Sequence, residues 1–541
     1  MKERLIKLKS KFCPNSYILT IISALLLTLS FPNFDITVFI FFALVPLFWA
    51  LSREEESYKN VLKISLIFGI VHFSTLIYWI AYTLNRFGNI PWIGALFLLF
   101  LLSLYLSLYI FIFLLLSMRI KAFSEVSMIK GFLLGLIWVS CEFLRSTLLT
   151  GFPWGLIGYP LSSYLILLQI ADLFGIWGLS FLVIIINYYF FYTFKNFISN
   201  TYKNKSFLVS QLLFGAFISA IFLYGFYAIK VWENTLKADH THYSLAILQG
   251  NVPQEIKEAK QTEFSLQVYE RLSWKALEKK PQFIFFPETA LPFYFPHDRE
   301  PSLKFITFLN RVREHLGGDL QNNPLFVFGT FRVNYAFTPP KVHNSLMIWD
   351  GNNIADIYDK EKLVPFGEYV PLVRYFPFLK RISVVSDILK PGESKNLRVY
   401  RGDLSFEIVP LICFESAFPQ ILVKRLRQGG DFVFIATNDA WFGKTSAPYQ
   451  HFQMAVVRAV ESRRYTIQAG NTGISGVINP LGLIETKSAL EVEAIVLGNL
   501  KIISNKTFFV NIGYVFPFFA LMISLLITVF YGVIDSKFRR K

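Results

Sequence analysis

The stretch Phe283-Ile284-Phe285-Phe286-Pro287-Glu288 places a carboxylate directly after a short apolar strand. Similar β-rich runs recur on either side of it, at 244–248, 325–329, 406–412 and 432–436. Helical patterns fall between these runs, near 263–279, 303–315, 419–427 and 450–464. This alternation of strands and helices predicts one α/β domain with two packed layers over residues 242–500.

The composition of the whole chain is that of a membrane protein. Its 541 residues are 54% hydrophobic and only 17% charged, whereas roughly a quarter of the residues of soluble domains are charged. The three cysteines, Cys13, Cys141 and Cys413, have no CxxC spacing. Neither a disulfide framework nor a zinc site is therefore indicated.

Apolar runs of about 17–25 residues predict membrane spans. We predict eight, at 16–31, 36–51, 61–82, 93–116, 131–149, 174–193, 207–228 and 508–533. Residues 1–230 then form a membrane domain with seven helices, the eighth span follows the α/β domain, and residues 534–541 form a basic tail. The first run resembles a signal peptide, but no small-residue cleavage pattern follows it, so we expect a retained helix.

Basic residues alternate between the loops that connect these spans. Lys and Arg concentrate around 53–63, 119–130, 195–205 and 537–541, while Arg86 and Arg145 are the basic residues of the intervening segments. The positive-inside rule then places both termini in the cytoplasm and the α/β domain outside it. The net charge of +16 comes mainly from these loops, and no basic stripe or RNA-binding motif is present, so we expect no nucleic-acid partner.

Three strand ends carry residues with complementary chemistry: Glu288, Lys360 and Cys413. A cysteine thiol needs a base to become a strong nucleophile, and a carboxylate in an apolar pocket can serve as that base. A lysine ammonium can stabilise the oxyanion that forms when a carbonyl is attacked. Taken alone, Glu288 is more often a helix cap, Lys360 a surface charge and Cys413 a core thiol. His451 competes with Glu288 as the base.

The chain resembles the nitrilase (carbon–nitrogen hydrolase) superfamily and, within it, the apolipoprotein N-acyltransferase family. The strings that carry this resemblance are GFPWG at 151–155, QGNVPQ at 249–254, PETALP at 287–292, KLVPFGEYVP at 362–371, ICFES at 412–416 and NDAWFG at 438–443. The resemblance covers essentially the whole chain, and GFPWG separates it from soluble nitrilases.

This resemblance implies a nitrilase-like α-β-β-α domain docked on the eight-span α-helical bundle. It implies Glu288 as general base, Lys360 as oxyanion-stabilising residue and Cys413 as nucleophile, with support from Glu368 and Glu415. We also expect Trp441, in the NDAWFG string, to contact substrate.

The partners that it implies are a phospholipid acyl donor, a diacylglyceryl-modified apolipoprotein acceptor and the lipids of a bacterial inner membrane, with no cofactor and no metal. Two other functions stay open at this point. One is a membrane-tethered amidase or nitrilase that uses water, and the other is a transporter with an extracytoplasmic binding domain.

The segment 371–389 combines aromatic residues with cations and includes Tyr375, Phe376 and Phe378. Ordinary core packing and a mobile arm that dips into the outer leaflet are both consistent with this pattern. Glu142 and Arg145 lie three residues apart on the fifth predicted span, where they are expected to pair as a structural ion pair.

Overall fold

The computed structural model describes residues 15–54, 57–238, 241–259, 261–317, 323–371, 373, 375–376, 389–401 and 404–539. Before the α/β region, the described chain is helical. Its α-helices are α1 Ser16–Leu29, α2 Val45–Glu54, α3 Tyr58–Leu76, α4 Trp79–Arg86, α5 Trp92–Arg119, α6 Met128–Thr147, α7 Leu165–Leu168, α8 Ala171–Ile198 and α9 Lys205–Lys237.

Seven helical segments in the described residues are long and apolar enough to cross a membrane. They are Thr37–Glu54, Tyr58–Leu76, Trp92–Arg119, Met128–Thr150, Ala171–Ile198, Lys205–Lys237 and Phe509–Phe530. Each overlaps one predicted span, while the first predicted span corresponds to the shorter apolar helix α1. The apolar bundle is thus confirmed in outline, and the count of eight spans and their orientation stay predictions.

The predicted span 61–82 is not one continuous helix, because α3 ends at Leu76 and α4 begins separately at Trp79. The side chain of Gln450, from the α/β domain, supports this break. Its Nε2 donates to the Leu76 carbonyl (3.1 Å), and its Oε1 accepts from Trp79 Nε1 (3.3 Å). A polar side chain thus satisfies a carbonyl that the ending helix leaves without its usual donor.

The region after α9 is an α/β domain with thirteen strands in its described residues. They are β1 His242–Gln249, β2 Phe283–Phe285, β3 Leu291–Tyr294, β4 Leu325–Asn334, β5 Lys341–Trp349, β6 Ile354–Asp359, β7 Leu397–Arg401, β8 Leu404–Ile412, β9 Phe432–Thr437, β10 Thr466–Gly470, β11 Gly476–Ile478, β12 Ile484–Lys487 and β13 Ala494–Lys501. The helices that follow in the chain are α10 Gln254–Glu258, α11 Thr262–Leu277, α12 Arg299–His315, α13 Pro419–Gln428, α14 Ala447–Ser462 and α15 Val515–Arg539.

The strands form two sheets. One has the order β13-β1-β2-β4-β5-β6, with β3 also paired to β4, and the other has the order β12-β11-β10-β9-β8-β7. Three neighbouring strands of each sheet are parallel, β1, β2 and β4 in the first sheet and β8, β9 and β10 in the second. Because β6 returns antiparallel to β5, which is antiparallel to β4, strands β2 and β6 run in the same direction.

Alternate residues of the strands face different layers. In β1, Leu245 and Ile247 belong to the core between the sheets, whereas Ala246 and Leu248 pack against α11 and α12. The second sheet follows the same rule on its own outer side, where α13 and α14 lie. The order of layers is therefore α-β-β-α, as the family resemblance implies, and is more elaborate than the two layers expected from the pattern alone.

Helix α14 joins the α/β domain to the bundle. Of its sixteen residues, Tyr449 alone is exposed. One side of the helix packs on the second sheet, and the other contacts α8. Just beyond the helix, the guanidinium of Arg463 reaches Asp172 of α8 (2.6 Å) and the Oε1 of Gln169 (2.7 Å). The outer helical layer on this side thus faces the bundle instead of solvent.

Candidate active site

The three residues singled out in the sequence each follow the end of a strand. Glu288 lies just after β2, Lys360 directly after β6 and Cys413 directly after β8. Because β2 and β6 run in the same direction within one sheet, Glu288 and Lys360 emerge at the same edge. Parallel strands commonly build sites at their carboxyl ends, and this edge holds a buried polar cluster.

Lys360 is the centre of that cluster. Its Nζ lies 3.1 Å from Glu288 Oε1 and 3.0 Å from Glu368 Oε1, and its side chain is 1% exposed. Asn344, on β5, donates to the same two carboxylates, at 2.7 and 3.0 Å. The backbone N–H of Asn438 donates to the other oxygen of Glu288 at 2.9 Å. Lys360 and Asn344 thus bridge the two carboxylates and fix their orientation.

Burial alone would lower the pKa of Lys360, but the carboxylates of Glu288 and Glu368 overcome this effect and raise the pKa above its usual value. The amine therefore stays a cation throughout the range in which proteins work. A permanently charged donor in a water-poor site is suited to stabilise negative charge that develops beside it.

Cys413 begins a short 3₁₀ turn, Cys413–Ala417, and has a φ of +50°. Non-glycine residues rarely adopt this left-handed conformation, and such residues cluster at functional sites. Burial raises the pKa of the thiol well above its usual value; the charge of Glu288 adds to this effect and that of Lys360 opposes it. The resting thiol is therefore neutral, and it would need a base in order to act as a nucleophile.

His451 lies closer to the thiol than expected from the sequence: a ring nitrogen of His451 lies within 4.8 Å of Cys413 Sγ. Its Nδ1 is 3.0 Å from Asp439 Oδ1, and its Nε2 is 2.7 Å from Ser416 Oγ and 3.2 Å from the Cys413 carbonyl oxygen. Both ring nitrogens are thus occupied, and the ring supports the backbone at Cys413.

Glu415 is fully buried and accepts four hydrogen bonds. Its Oε1 accepts from the Tyr358 hydroxyl (2.6 Å) and from the backbone N–H groups of Glu361 (2.7 Å) and Lys362 (3.0 Å). Its Oε2 accepts from the N–H of Ile412 (2.7 Å). The carboxylate therefore fastens the residues that follow Lys360 to the residue that precedes Cys413.

The GFPWG string at 151–155 forms a loop whose position is fixed by hydrogen bonds to two side chains of α6. Arg145 donates to three of its carbonyls, those of Phe152 (3.3 Å), Trp154 (2.8 Å) and Gly155 (3.3 Å). Glu142 accepts from the N–H of Ile157 (2.8 Å). The expected ion pair between Glu142 and Arg145 is thus replaced by separate bonds to this loop.

The loop in turn contacts the α/β domain. Trp154 Nε1 donates to Gln450 Oε1 (2.7 Å), and the Trp154 ring lies 5.7 Å from that of His451. Two buried charges of the bundle therefore fix a loop that packs against the residues behind Cys413.

The aromatic residues expected to contact substrate have different surroundings. Trp441 packs edge-on against Phe87 at 5.2 Å, and its carbonyl accepts from Thr83 Oγ1 (2.9 Å), so it lies where α4 meets the α/β domain. Tyr375 and Phe376 are 72% and 49% exposed, which does not fit ordinary core packing. Phe378 lies outside the described residues.

Two further polar residues belong to this site, and the first of them carries no clear signal in the sequence. Asn344, which bonds both Glu288 and Glu368, lies inside an ordinary strand. Asp439 accepts from Thr437 Oγ1 (2.7 Å) and lies in the NDAWFG string. In the described residues, Cys413, Asp439 and His451 are the one group of potential ligand atoms close enough together to hold a metal ion. Since Asp439 and His451 are already bonded to each other, their arrangement is explained without one.

Comparison with known proteins assigns both parts of the chain. Residues 23–189 match the apolipoprotein N-acyltransferase N-terminal domain, and residues 244–501 match the carbon-nitrogen hydrolase family. A Saccharomyces cerevisiae structure, a member of branch 10 of the nitrilase superfamily, matches 48% of this chain and 90% of its own length, with 18% identity and a TM-score of 0.35.

Relatives of known name match much more of the chain. An apolipoprotein N-acyltransferase of Geobacter metallireducens is 31% identical over 506 residues, which cover 92% of each chain. One of Rickettsia prowazekii is 30% identical over 438 residues, which cover 80% of this chain and 82% of the relative. The resemblance seen in the sequence motifs is thereby confirmed, and this chain belongs to the apolipoprotein N-acyltransferase family.

Proposed function

We propose that the chain is a phospholipid:apolipoprotein N-acyltransferase with Glu288, Lys360 and Cys413 as its catalytic residues. The observation that carries the assignment of residues is the buried contact of 3.1 Å between Lys360 Nζ and Glu288 Oε1 beside a buried cysteine. Family membership supports the acyltransferase reaction. No step requires a metal or an organic cofactor.

In the first half-reaction, Cys413 Sγ attacks the carbonyl carbon of a phospholipid ester while Glu288 accepts the thiol proton. Lys360 stabilises the oxyanion of the tetrahedral intermediate. The intermediate then collapses, the carbon–oxygen bond breaks, and Glu288 returns the proton to the departing lysophospholipid oxygen. The acyl chain stays on Cys413 as a thioester.

In the second half-reaction, the free α-amino group of a diacylglyceryl-modified N-terminal cysteine attacks the thioester carbonyl. Glu288 accepts a proton from the amine, the carbon–sulfur bond breaks, and the proton passes to the departing thiolate. Splitting the transfer into two steps uses the thiol both as nucleophile and as leaving group. Water must be excluded between the steps, and a buried site beside an apolar bundle supports that exclusion.

The proposed setting is the inner membrane, with residues 1–230 and 508–533 in the bilayer and residues 242–500 on its extracytoplasmic side. The alternation of basic loops supports this orientation and places both termini, including the tail 534–541, in the cytoplasm. Glu368 and Glu415 orient Lys360 and Cys413. The exposed Tyr375 and Phe376 are consistent with an arm, 371–389, that meets lipid.

The experiment uses the purified full chain in detergent micelles with a phospholipid that is labelled in one acyl chain. Without acceptor, we expect up to one labelled chain per protein, which neutral hydroxylamine releases. Added diacylglyceryl peptide should then take the label on its α-amino group. The Cys413→Ser and Glu288→Gln variants should not load label, whereas the exposed control Glu300→Gln should load normally.

Three outcomes would contradict the proposal. Wild-type protein that carries no chain on Cys413 would exclude the thioester route. Normal loading by Glu288→Gln would exclude Glu288 as the base. Label that is released as free fatty acid even with acceptor present would instead favour a hydrolase.

A further inference from the structure

Lys257, on the short helix α10, is a buried ammonium that lies outside the mechanism described above. The residue is 6% exposed, and within the described part of the chain its Nζ has no hydrogen-bond partner. Burying a cation without a partner is costly, and such groups are usually paired or neutral. An unpaired buried cation therefore points to an anion that binds there.

The neighbours of Lys257 connect it to the catalytic site. Gln254, three residues earlier on the same helix, accepts from Asn438 Nδ2 (2.8 Å), and the N–H of Asn438 holds Glu288. Burial lowers the pKa of Lys257 to about 7, and the charge of Glu288 partly opposes this effect. The chain of contacts from Gln254 through Asn438 to Glu288 therefore places helix α10 beside the proposed base.

Helix α10 is also tied to the bundle. Glu255, beside Gln254, lies 2.6 Å from the guanidinium of Arg86 at the end of α4. Helix α4 begins three residues after the spanning helix α3 ends at Leu76. Helix α10 is therefore in contact with the membrane bundle, from which a phospholipid would reach the site.

We propose that Lys257 binds the phosphate group of the phospholipid acyl donor. This inference rests on the proposed function and adds the recognition of the leaving group. Glu288 must reach the ester oxygen that departs, and in a glycerophospholipid the phosphate is a few bonds beyond that oxygen. With the departing oxygen at Glu288, the phosphate lies close to that carboxylate, and helix α10, which carries Lys257, is connected to the same carboxylate through Gln254 and Asn438.

The contact between Lys257 and the phosphate would stabilise both groups. The phosphate would give Lys257 the counter-ion that it lacks, and Lys257 would reduce the repulsion between the phosphate and the carboxylate of Glu288. Charge-assisted hydrogen bonds to phosphate are among the strongest in proteins. A donor without phosphate would gain nothing from this residue.

The test compares two acyl donors in the full-length protein. Loading of Cys413 is measured in a single turnover with dipalmitoyl phosphatidylglycerol and with p-nitrophenyl palmitate, which has no phosphate. Lys257→Met and Lys257→Gln should slow loading from the phospholipid by about 10- to 100-fold, as expected for a lost hydrogen bond to a charged group. Loading from p-nitrophenyl palmitate should change by less than about twofold, and the exposed control Lys275→Met should affect neither donor.

Each other outcome overturns the proposal. Equal losses with both donors would mean that Lys257 acts on the chemistry or on folding, which thermal melting of the variants would separate. Normal loading with slow transfer to a peptide amine would assign Lys257 to the acceptor, and normal loading and transfer would remove it from recognition. If wild-type Cys413 loads from neither donor, the proposed function itself fails.

Discussion

Replacement of Glu415 tests whether this carboxylate is a structural support or a participant in the chemistry. Its two oxygens accept from Tyr358, Glu361 and Lys362 on one side and from Ile412 on the other. Glu415→Gln can keep its amide oxygen toward the first three donors. Its amide NH₂ then faces the N–H of Ile412, so that one hydrogen bond is replaced by two opposed donors.

The expected magnitudes follow from this count. A buried donor left unsatisfied costs about 1–3 kcal/mol, so Glu415→Gln should lower the free energy of unfolding by about that amount. Glu415→Ala removes the acceptor of all four donors, and the loss for the two fully buried ones, Ile412 and Tyr358, is already about 2–6 kcal/mol. The Arg425 guanidinium, fully buried and 3.6 Å from Glu415, would lose a neighbouring charge as well.

The assay is thermal melting in detergent, together with the rate at which iodoacetamide alkylates Cys413. Glu415→Gln should melt at a lower temperature and alter the alkylation rate, because Ile412 immediately precedes Cys413. The exposed control Glu263→Gln loses a surface contact to Lys304 and should change the stability by less than about 1 kcal/mol. A Glu415→Gln variant with wild-type melting and alkylation but no acyl transfer would refute the structural role.

Three further changes test other parts of the molecule. Lys257→Met should raise the melting temperature below about pH 7, and this gain over wild type should shrink as the pH rises from about 7 toward 10.5. In that range the folded wild-type chain has released the Lys257 proton, which the unfolded chain still holds, so the wild type becomes more stable as the pH rises. A gain that is independent of pH in melting scans would contradict this prediction. Arg145→Met removes the donor of three loop carbonyls and should cost at least about 2 kcal/mol in thermal stability, whereas the exposed control Arg86→Met should cost less than about 1 kcal/mol. Phe376→Ser combined with Phe378→Ser should slow the loading of Cys413 from phospholipid vesicles without lowering the melting temperature, and an unchanged rate would exclude the arm.

Hydrophobic runs predicted five of the strands, β1, β2, β4, β8 and β9. The run 283–286 became β2 and the run 406–412 became most of β8, because a strand covered on both faces is a short unbroken apolar run. The interior strands β5 and β10 were not among the predicted runs, and neither were the edge strands β7 and β12. The omission of the edge strands has a physical reason. Their exposed residues, such as Tyr400 and Ile484, give no continuous apolar signal.

The site was predictable where chemistry and chain position coincide, and less so elsewhere. Glu288, Lys360 and Cys413 end strands, and the structure brings Glu288 and Lys360 into direct contact. Asn344 could not be found, since its role depends on β5 lying beside β6 in the sheet. His451 was underestimated for the same reason, because helix α14 brings it behind Cys413 across a gap of 38 residues in the chain.

Because helix α14 is buried on both of its sides, the α/β domain of this enzyme cannot simply be produced as a separate fragment. A fragment that begins after α9 and ends before α15 would retain both sheets, yet it would present to water an apolar surface that the bundle normally covers. Arg463 and Glu461 would lose Asp172 and the N–H of Ile176 at the same time. Attempts to produce the α/β part as a soluble reagent should therefore give aggregates, and engineering of this enzyme has to start from the full-length chain in a membrane mimetic.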